Sequence, residues 1–143
     1  MTIMLEVYLN FKNEAATAIA FYETVFEVKN DGIMTFADAP EDPEHPTPEA
    51  WKDLIINASM TIEGVPVMFS DVPDGMGLTF IEGNNVSLVI STEDEAKIDR
   101  IFNRLAEEGK VTMPLGETFW SKKYGMVVDK FGINWMLNCY VEP

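Results

Sequence analysis

One carboxylate beside a cluster of aromatic residues is the strongest candidate for acid–base chemistry in this chain. Glu117 precedes Phe119 and Trp120, and Tyr124 and Trp135 follow within the next fifteen residues or so. If Glu117 lay in an apolar cavity, desolvation would favour its protonated form and suit it to proton transfer. The alternatives are a structural carboxylate that accepts backbone N–H groups and aromatic side chains that fill the core.

Metal ligands are scarce in the sequence. His45 is the single histidine and lies in an acidic, proline-rich segment, and Cys139 is the single cysteine. A histidine-based zinc or iron site normally needs two imidazoles or a ligand from a partner subunit. One cysteine excludes an internal disulfide, and its apolar surroundings predict burial. Asp71 and Asp129 each follow a predicted strand, which favours a role as turn formers.

Length and charge limit the classes of function. The 143 residues fit one domain, and the net charge of −14 comes from 24 acidic and 10 basic residues. Such a charge repels nucleic acid, so no nucleic-acid partner is expected. No apolar run reaches the roughly 18 residues of a membrane span, and no basic segment precedes the apolar start. We therefore expect neither membrane association nor a signal peptide, and a cytoplasmic location.

The first half of the sequence predicts one helix among four strands. Alternating apolar residues over 3–11 indicate a strand, and Asn13 is a suitable N-cap for an amphipathic helix over 14–26. A weak strand over 28–36 precedes an acidic loop over 37–50 that contains four prolines. Further strands are predicted over 53–62 and 65–71, joined by a tight turn at Glu63 and Gly64, and the segment 72–83 is predicted to be a loop.

The second half repeats this order. A strand over 85–90 precedes a capping box formed by Thr92 and Glu95, and the helix that follows ends at Gly109. Strands are predicted over 111–115, within the aromatic region, and over 133–141, with turns at Gly125 and Gly132.

These elements predict an α+β fold made of two β-α-β-β-β modules. Val7 matches Val86, and Gly64 matches Gly132, as equivalent positions of an internal repeat. Module 1 covers about 1–72, a linker about 73–83 and module 2 about 84–143, together forming one domain. Neither four-stranded module covers its own sheet on both faces, so we expect paired curved mixed sheets around a central cavity with the helices outside.

Strand alternation places polar side chains on one face of each sheet, where they would line that cavity. The alternative is a solvated polar face, as in many antiparallel sheets, but apolar and aromatic residues with the same alternation favour a small-molecule pocket. The candidate ligand-binding residues are Tyr8, Asn10, Asn57, Ser59, Ser87, Phe119, Trp120, Tyr124, Met136 and Asn138.

Three motifs resemble the PhnB-like family of the vicinal-oxygen-chelate superfamily, which includes glyoxalase I, extradiol dioxygenases and bleomycin-resistance proteins. They are Met-Phe-Ser-Asp at 68–71, Met-Pro-Leu-Gly-Glu-Thr-Phe-Trp at 113–120 and Asp-Lys-Phe-Gly at 129–132. The resemblance implies a divalent metal held by His and Glu side chains on four inward strands. This chain instead offers Tyr8 or Asn10, Asn57, Ser87 and Asn138, which are poor ligands for a transition metal.

The resemblance therefore leads to three hypotheses. The first is a metal-free protein that binds a small apolar or aromatic molecule, with no cofactor. The second is a metal-dependent lyase, isomerase or dioxygenase that uses Glu117, and the third is a scaffold with an unused pocket. The family resemblance also implies a homodimer. Methyl transfer, a label that some relatives carry, is not expected, because no glycine-rich loop follows a first parallel strand.

Overall fold

A computed structural model describes residues 2–141 and divides the chain into two compact units, the first ending at Phe80 and the second beginning at Ile81. The first unit contains β1 (Val7–Phe11), α1 (Ala15–Phe26), β2 (Asn30–Thr35), β3 (Ile55–Ile62) and β4 (Val65–Asp71). The second unit contains β5 (Leu88–Thr92), α2 (Glu95–Ala106), β6 (Lys110–Gly116), β7 (Ser121–Val128) and β8 (Asn134–Tyr140). The predicted grouping of both modules into one domain stays a prediction.

Both units have the same topology, which confirms the predicted internal repeat. The strand order is β1-β4-β3-β2 in the first sheet and β5-β8-β7-β6 in the second. In each sheet the first strand pairs in parallel with the last, and the remaining pairs are antiparallel. The predicted α+β class with two mixed sheets is therefore correct.

Each helix covers one face of its own sheet. In α1 the side chains of Ala15, Ala18, Ile19, Tyr22, Val25 and Phe26 are buried, and Tyr22 packs on Phe69 of β4 with ring centroids 6.0 Å apart. In α2 the buried side chains are Ile98, Ile101, Phe102 and Leu105. This helical spacing is the one that the sequence predicts, because apolar residues recur every three or four positions.

The start of α1 corrects two predictions. Asn13 has a positive φ of 62°, and the N-cap is Glu14, whose side chain makes no capping hydrogen bond. Instead, the backbone N–H of Ala15 donates to Asp71 Oδ1 at 3.0 Å, and that of Ile55 donates to Asp71 Oδ2 at 2.9 Å. Asp71 is 3% exposed and is not a turn former. It joins the starts of α1 and β3 to the end of β4.

The start of α2 corrects a third prediction. Asp94, and not Thr92, is the N-cap, and its Oδ1 accepts the backbone N–H of Lys97 at 3.1 Å. Thr92 Oγ1 accepts the N–H of Asp94 at 3.3 Å, so the threonine positions the cap. The preceding strand also begins later than predicted. Val7 and Leu88 are the first residues of equivalent strands, so the predicted match of Val7 with Val86 is two residues out of register.

The two glycines of the aromatic region differ in role. Gly132 has φ +87° in the turn between β7 and β8, as predicted, whereas Gly125 lies within β7. A Cβ at Gly125 would lie 2.9 Å from Leu115 Cδ2 and 3.0 Å from Phe102 Cε2. The absence of a side chain there lets α2 and β6 approach β7, which is a common reason for glycine within a strand.

The acidic segment 37–50 is an irregular exposed loop, as predicted, with a single bridge between Asp42 and His45. A short 3-10 helix, Glu49–Trp51, follows, and Trp51 packs against Phe36 with ring centroids 5.6 Å apart. Across the described residues, no helix is long and apolar enough to cross a membrane.

Candidate functional site

The side chains of strand β8 alternate between a buried face and a more polar face, as the sequence alternation predicts. Trp135, Leu137 and Cys139 are buried on the side of α2, whereas the alternating Met136 and Asn138 are only partly buried. We call the side of the second sheet opposite to α2 its distal face. Burial raises the pKa of the Cys139 thiol, so this cysteine is a buried, protonated side chain, consistent with its predicted packing role.

Two cross-strand rows form the centre of the distal face, and neither contains a charged side chain. In the first row Ser91, Asn138 and Tyr124 are successive register partners on β5, β8 and β7. In the second row the successive partners are Val89, Met136, Met126 and Met113. Side chains directly opposite each other on neighbouring strands lie about 5 Å apart at Cβ, so each row is a continuous surface.

An aromatic cluster adjoins these rows. The rings of Trp120 and Tyr124 lie 5.3 Å apart at 75°, and those of Phe119 and Trp120 lie 4.7 Å apart at 83°. The Tyr124 hydroxyl donates to Met136 Sδ at 3.1 Å. The structure thus brings together five of the predicted ligand-binding residues, Phe119, Trp120, Tyr124, Met136 and Asn138.

Asn138 holds an unused hydrogen-bond acceptor. Its Nδ2 donates to Ser91 Oγ at 3.3 Å, whereas its Oδ1 is buried and has no partner among the described residues. A buried polar atom without a partner is uncommon in folded proteins and calls for an explanation. A ligand that donates a hydrogen bond would supply one.

Of the two alternatives for the aromatic side chains, core packing does not apply to Phe119 and Trp120. Phe119 is 98% exposed and Trp120 is 50% exposed, because residues 117–120 form a loop between β6 and β7 and are not part of a strand. Only Trp135 of the predicted core aromatics is buried, at 2% exposure. Its indole Nε1–H donates to Asp129 Oδ2 at 2.9 Å.

Glu117 does not lie in an apolar enclosure. It is exposed and lines an open depression of about 340 Å³ together with Phe119, Trp120 and Lys122. Among residues 2–141 no backbone N–H donates to its carboxylate, so the alternative structural role is not observed either.

Asp129 is a turn former, as predicted, and has a further role. Its Oδ1 accepts the backbone N–H groups of Phe131 at 2.9 Å and Ile133 at 3.1 Å. The same carboxylate holds the indole of Trp135, so it fixes both the turn and the start of β8. Asp129 is therefore a structural residue of the second unit.

The remaining predicted residues belong to the first unit, except Ser87. Tyr8 and Ser59 are the register partners of Met68 on either side of β4. Ser70 Oγ donates to Asn10 Oδ1 at 3.2 Å, and Asn57 pairs with Met34 of β2.

Ser87 lies just before β5 and outside the strand. The residues of the two rows that sequence reasoning missed are Val89, Ser91, Met113 and Met126. Ser91 shares the alternation of Ser87, four residues further on, and could have been found by extending the predicted strand by one residue. Met113 could not, because register shifts on either side of it break the alternation of β6.

The side chains of this site do not fit a tightly bound transition metal. Within residues 2–141 no three His, Cys, Asp or Glu side chains lie close enough together to hold an ion. The polar groups of the distal face are an amide, a hydroxyl and a phenol, which are weaker ligands than imidazole or carboxylate.

Comparisons with known proteins agree with this fold. The sequence model of a family described as 3-demethylubiquinone-9 3-methyltransferase matches residues 4–138. The crystal structure of protein PA1353 from Pseudomonas aeruginosa is 31% identical, with a TM-score of 0.84, 99% of this chain covered and 100% of that one. A protein from Bacillus cereus, named a putative 3-demethylubiquinone-9 3-methyltransferase and PhnB protein, is 29% identical, with a TM-score of 0.73 over 95% of this chain and 98% of that one.

A more distant structure shows the same fold. The glyoxylase/bleomycin resistance protein/dioxygenase domain from Frankia sp. EAN1pec is 15% identical, with a TM-score of 0.65 over 99% of both chains. The chain therefore belongs to the family described as 3-demethylubiquinone-9 3-methyltransferase, as a PhnB-like protein with the fold of the vicinal-oxygen-chelate superfamily.

Proposed function

We propose that this chain binds small apolar or aromatic molecules on the distal face of the second sheet, without a metal. The observation that carries the proposal is the pair of uncharged rows on that face, bordered by Trp120. Small-molecule sites combine a mainly apolar lining with a few polar groups that orient the ligand. Methionine suits such a lining because its thioether chain is flexible and polarisable.

Phe119 and the polar residues of the first unit, Tyr8, Asn10, Asn57 and Ser59, remain further candidates for ligand contact. Ser87 stays a candidate of the same kind. The predicted cavity between the two sheets remains a prediction as well. The distal face alone provides apolar side chains at Met136 and Met126 and an aromatic ring at Trp120, which would contact a molecule of one or two rings.

A charge placed in the middle of the methionine row tests the proposal. In the unaltered protein, naphthalene-sized aromatic molecules should quench tryptophan fluorescence and raise the melting temperature by a few degrees at concentrations well above Kd. Met136→Glu should abolish both responses, because the ligand would then have to desolvate a carboxylate. Leu78→Glu adds the same charge at an exposed residue of the loop after β4, in the first unit, and should leave both responses unchanged.

Lack of any response across a broad panel of apolar and aromatic ligands would refute the proposal and favour the scaffold hypothesis.

Metal analysis of the purified protein addresses the enzyme alternative. One tightly held divalent ion per chain, lost in Glu117→Gln, would overturn metal-free binding in favour of a metal-dependent lyase, isomerase or dioxygenase.

Methyl transfer is not part of the proposal. Among residues 2–141, each sheet has one parallel pair of strands, at β1–β4 and β5–β8. A dinucleotide-type site for a methyl donor would need neighbouring parallel strands with a glycine-rich loop after the first. The family description therefore does not define the activity that we propose.

A homodimer is the second part of the proposal. The segment before β1 exposes Ile3 by 91% and Leu5 by 96%, and such apolar residues are typical of surfaces that a partner covers. Light scattering during size exclusion should give twice the chain mass of 16.1 kDa. Ile3→Asp with Leu5→Asp should shift the protein to the mass of one chain.

A further inference from the structure

We propose that the ligand is an uncharged aromatic molecule with a hydroxyl group, which Asn138 and Tyr124 hold between them. This inference rests on the proposed function and specifies the class of molecule that the distal face selects. It follows from the hydrogen-bonding state of two neighbouring side chains and from the absence of charge in both rows around them.

The first requirement on the ligand comes from Asn138. Its amide nitrogen is engaged with Ser91 Oγ, and its amide oxygen has no partner among the described residues. An amide oxygen accepts hydrogen bonds and cannot donate them, so only a donor on the ligand satisfies it. Asn138 as a whole is only partly buried, and the proposed complex requires that its amide turn so that this oxygen faces the ligand.

The second requirement comes from Tyr124. Its hydroxyl donates to the thioether sulfur of Met136 at 3.1 Å, and a thioether is a weak acceptor. A ligand oxygen is a stronger acceptor and would take over this hydrogen bond. Tyr124 and Asn138 are register partners on adjacent strands, so both side chains lie on the same face and can contact one ligand.

A hydroxyl group meets both requirements at once, because one O–H donates while its oxygen accepts. An ether or a ketone would satisfy only Tyr124. A carboxylate would place a charge beside two rows that contain no cation, in a protein whose net charge is −14. The thioethers of Met126 and Met136 and the ring of Trp120 would contact the aromatic body of the ligand.

Four matched naphthalenes test the inference: 2-naphthol, 2-methoxynaphthalene, naphthalene and 2-naphthoate, titrated by calorimetry at pH 7. We expect 2-naphthol to bind about fivefold or more tightly than the ether, which corresponds to one hydrogen bond to a buried acceptor. Asn138→Leu should remove most of this preference while naphthalene still binds. Tyr124→Phe, which retains the ring, should instead weaken 2-naphthol and its ether alike relative to naphthalene, because both ligand oxygens accept the tyrosine O–H.

Asn103→Leu makes the same chemical change as Asn138→Leu on the exposed surface of α2, and it should keep the preference for 2-naphthol. Melting temperatures of all variants establish that they fold. Equal binding of 2-naphthol, its ether and naphthalene would overturn the hydroxyl requirement but leave the proposed function standing. Tightest binding of 2-methoxynaphthalene or 2-naphthoate would overturn it in favour of an acceptor-only or anionic ligand, and no binding by any of the four would refute both proposals.

Discussion

The two units share a strand order, and each contains one hydrogen-bonded pair of an asparagine and a serine on its two parallel strands. In the first unit Asn10 of β1 accepts a hydrogen bond from Ser70 of β4, and in the second Ser91 of β5 accepts one from Asn138 of β8. The two pairs occupy equivalent register positions, with asparagine and serine exchanged. The exchange has a chemical consequence, because Asn10 uses its amide oxygen in the pair, whereas Asn138 uses its nitrogen and leaves the oxygen unpaired.

The rows beside these pairs also differ. The row in the first sheet runs through Tyr8, Met68, Ser59 and Gly32, and the equivalent row in the second runs through Val89, Met136, Met126 and Met113. The second row is more apolar and the first more polar. One duplicated framework thus provides two chemically different surfaces, and the proposed ligand site lies on the apolar one.

The units also differ in how they fix the start of their helix. Asp71, which pairs with Phe11 at the end of β1, accepts N–H groups from α1 and β3. Cys139 occupies the equivalent place beside Thr92, and there the helix is capped locally by Asp94. A helix N-terminus needs acceptors for its free N–H groups, but the fold does not specify which residue supplies them.

The largest expected effect is that of Asp71→Ala. The change leaves the buried N–H groups of Ala15 and Ile55 without an acceptor, and each such group costs about 1–3 kcal/mol. We expect the free energy of unfolding, measured in urea, to fall by about 2–4 kcal/mol. Cys139→Ala, at the equivalent position, should cost only about 1 kcal/mol, because the thiol makes one weak hydrogen bond to Glu93.

Asp71→Asn separates the hydrogen bonds from the packing. The amide has nearly the same shape but retains only one accepting oxygen, so its loss of stability should lie between those of the unaltered protein and Asp71→Ala. A loss below about 1 kcal/mol for Asp71→Ala would show that the carboxylate does not join the two elements and that the units are alike at this point.

Much of this comparison could be predicted from the sequence. The spacing of apolar residues predicts both helices, and the shared order of elements predicts the repeat. The alternation in β8 predicts that Met136 and Leu137 lie on opposite faces of the sheet. These features are local, so they can be read from neighbouring residues. The function of Asp71 could not be predicted in this way, because its partner Ala15 lies 56 residues away.

The site was predicted less completely for two physical reasons. Phe119 and Trp120 are of residue types that are usually buried, yet β6 ends at Gly116 and the loop that follows exposes both side chains. Bulges in β6 change which side chains share a face, so Met113 pairs with Met126 although the alternation does not indicate it. Both are features of tertiary structure that override local patterns.

An intermediate effect is expected when one strand glycine from each unit is changed to alanine. In Gly125→Ala the new methyl group would meet Leu115, Phe102 and the Met113 carbonyl within 3.1 Å, so the free energy of unfolding should fall by about 1–3 kcal/mol. Gly32→Ala in the edge strand β2 has no atom within 4 Å of the new methyl group and should change stability by no more than about 0.5 kcal/mol. Thermal or urea unfolding of both variants measures the difference, and equal losses would contradict the tighter packing of the second unit at this point.

The smallest expected effect concerns the hairpin turns. The turn between β3 and β4 has two residues, Glu63 and Gly64, with φ of 48° and 81°, whereas the longer turn between β7 and β8 is organised by Asp129. Two-residue hairpin turns with positive φ at both positions favour Asn-Gly, because asparagine tolerates the left-handed conformation better than glutamate. Glu63→Asn should therefore raise the free energy of unfolding by about 0.5 kcal/mol. Glu63→Ala removes the same charge but not the backbone strain, so a gain from alanine equal to that from asparagine would locate the effect in the charge and not in the turn.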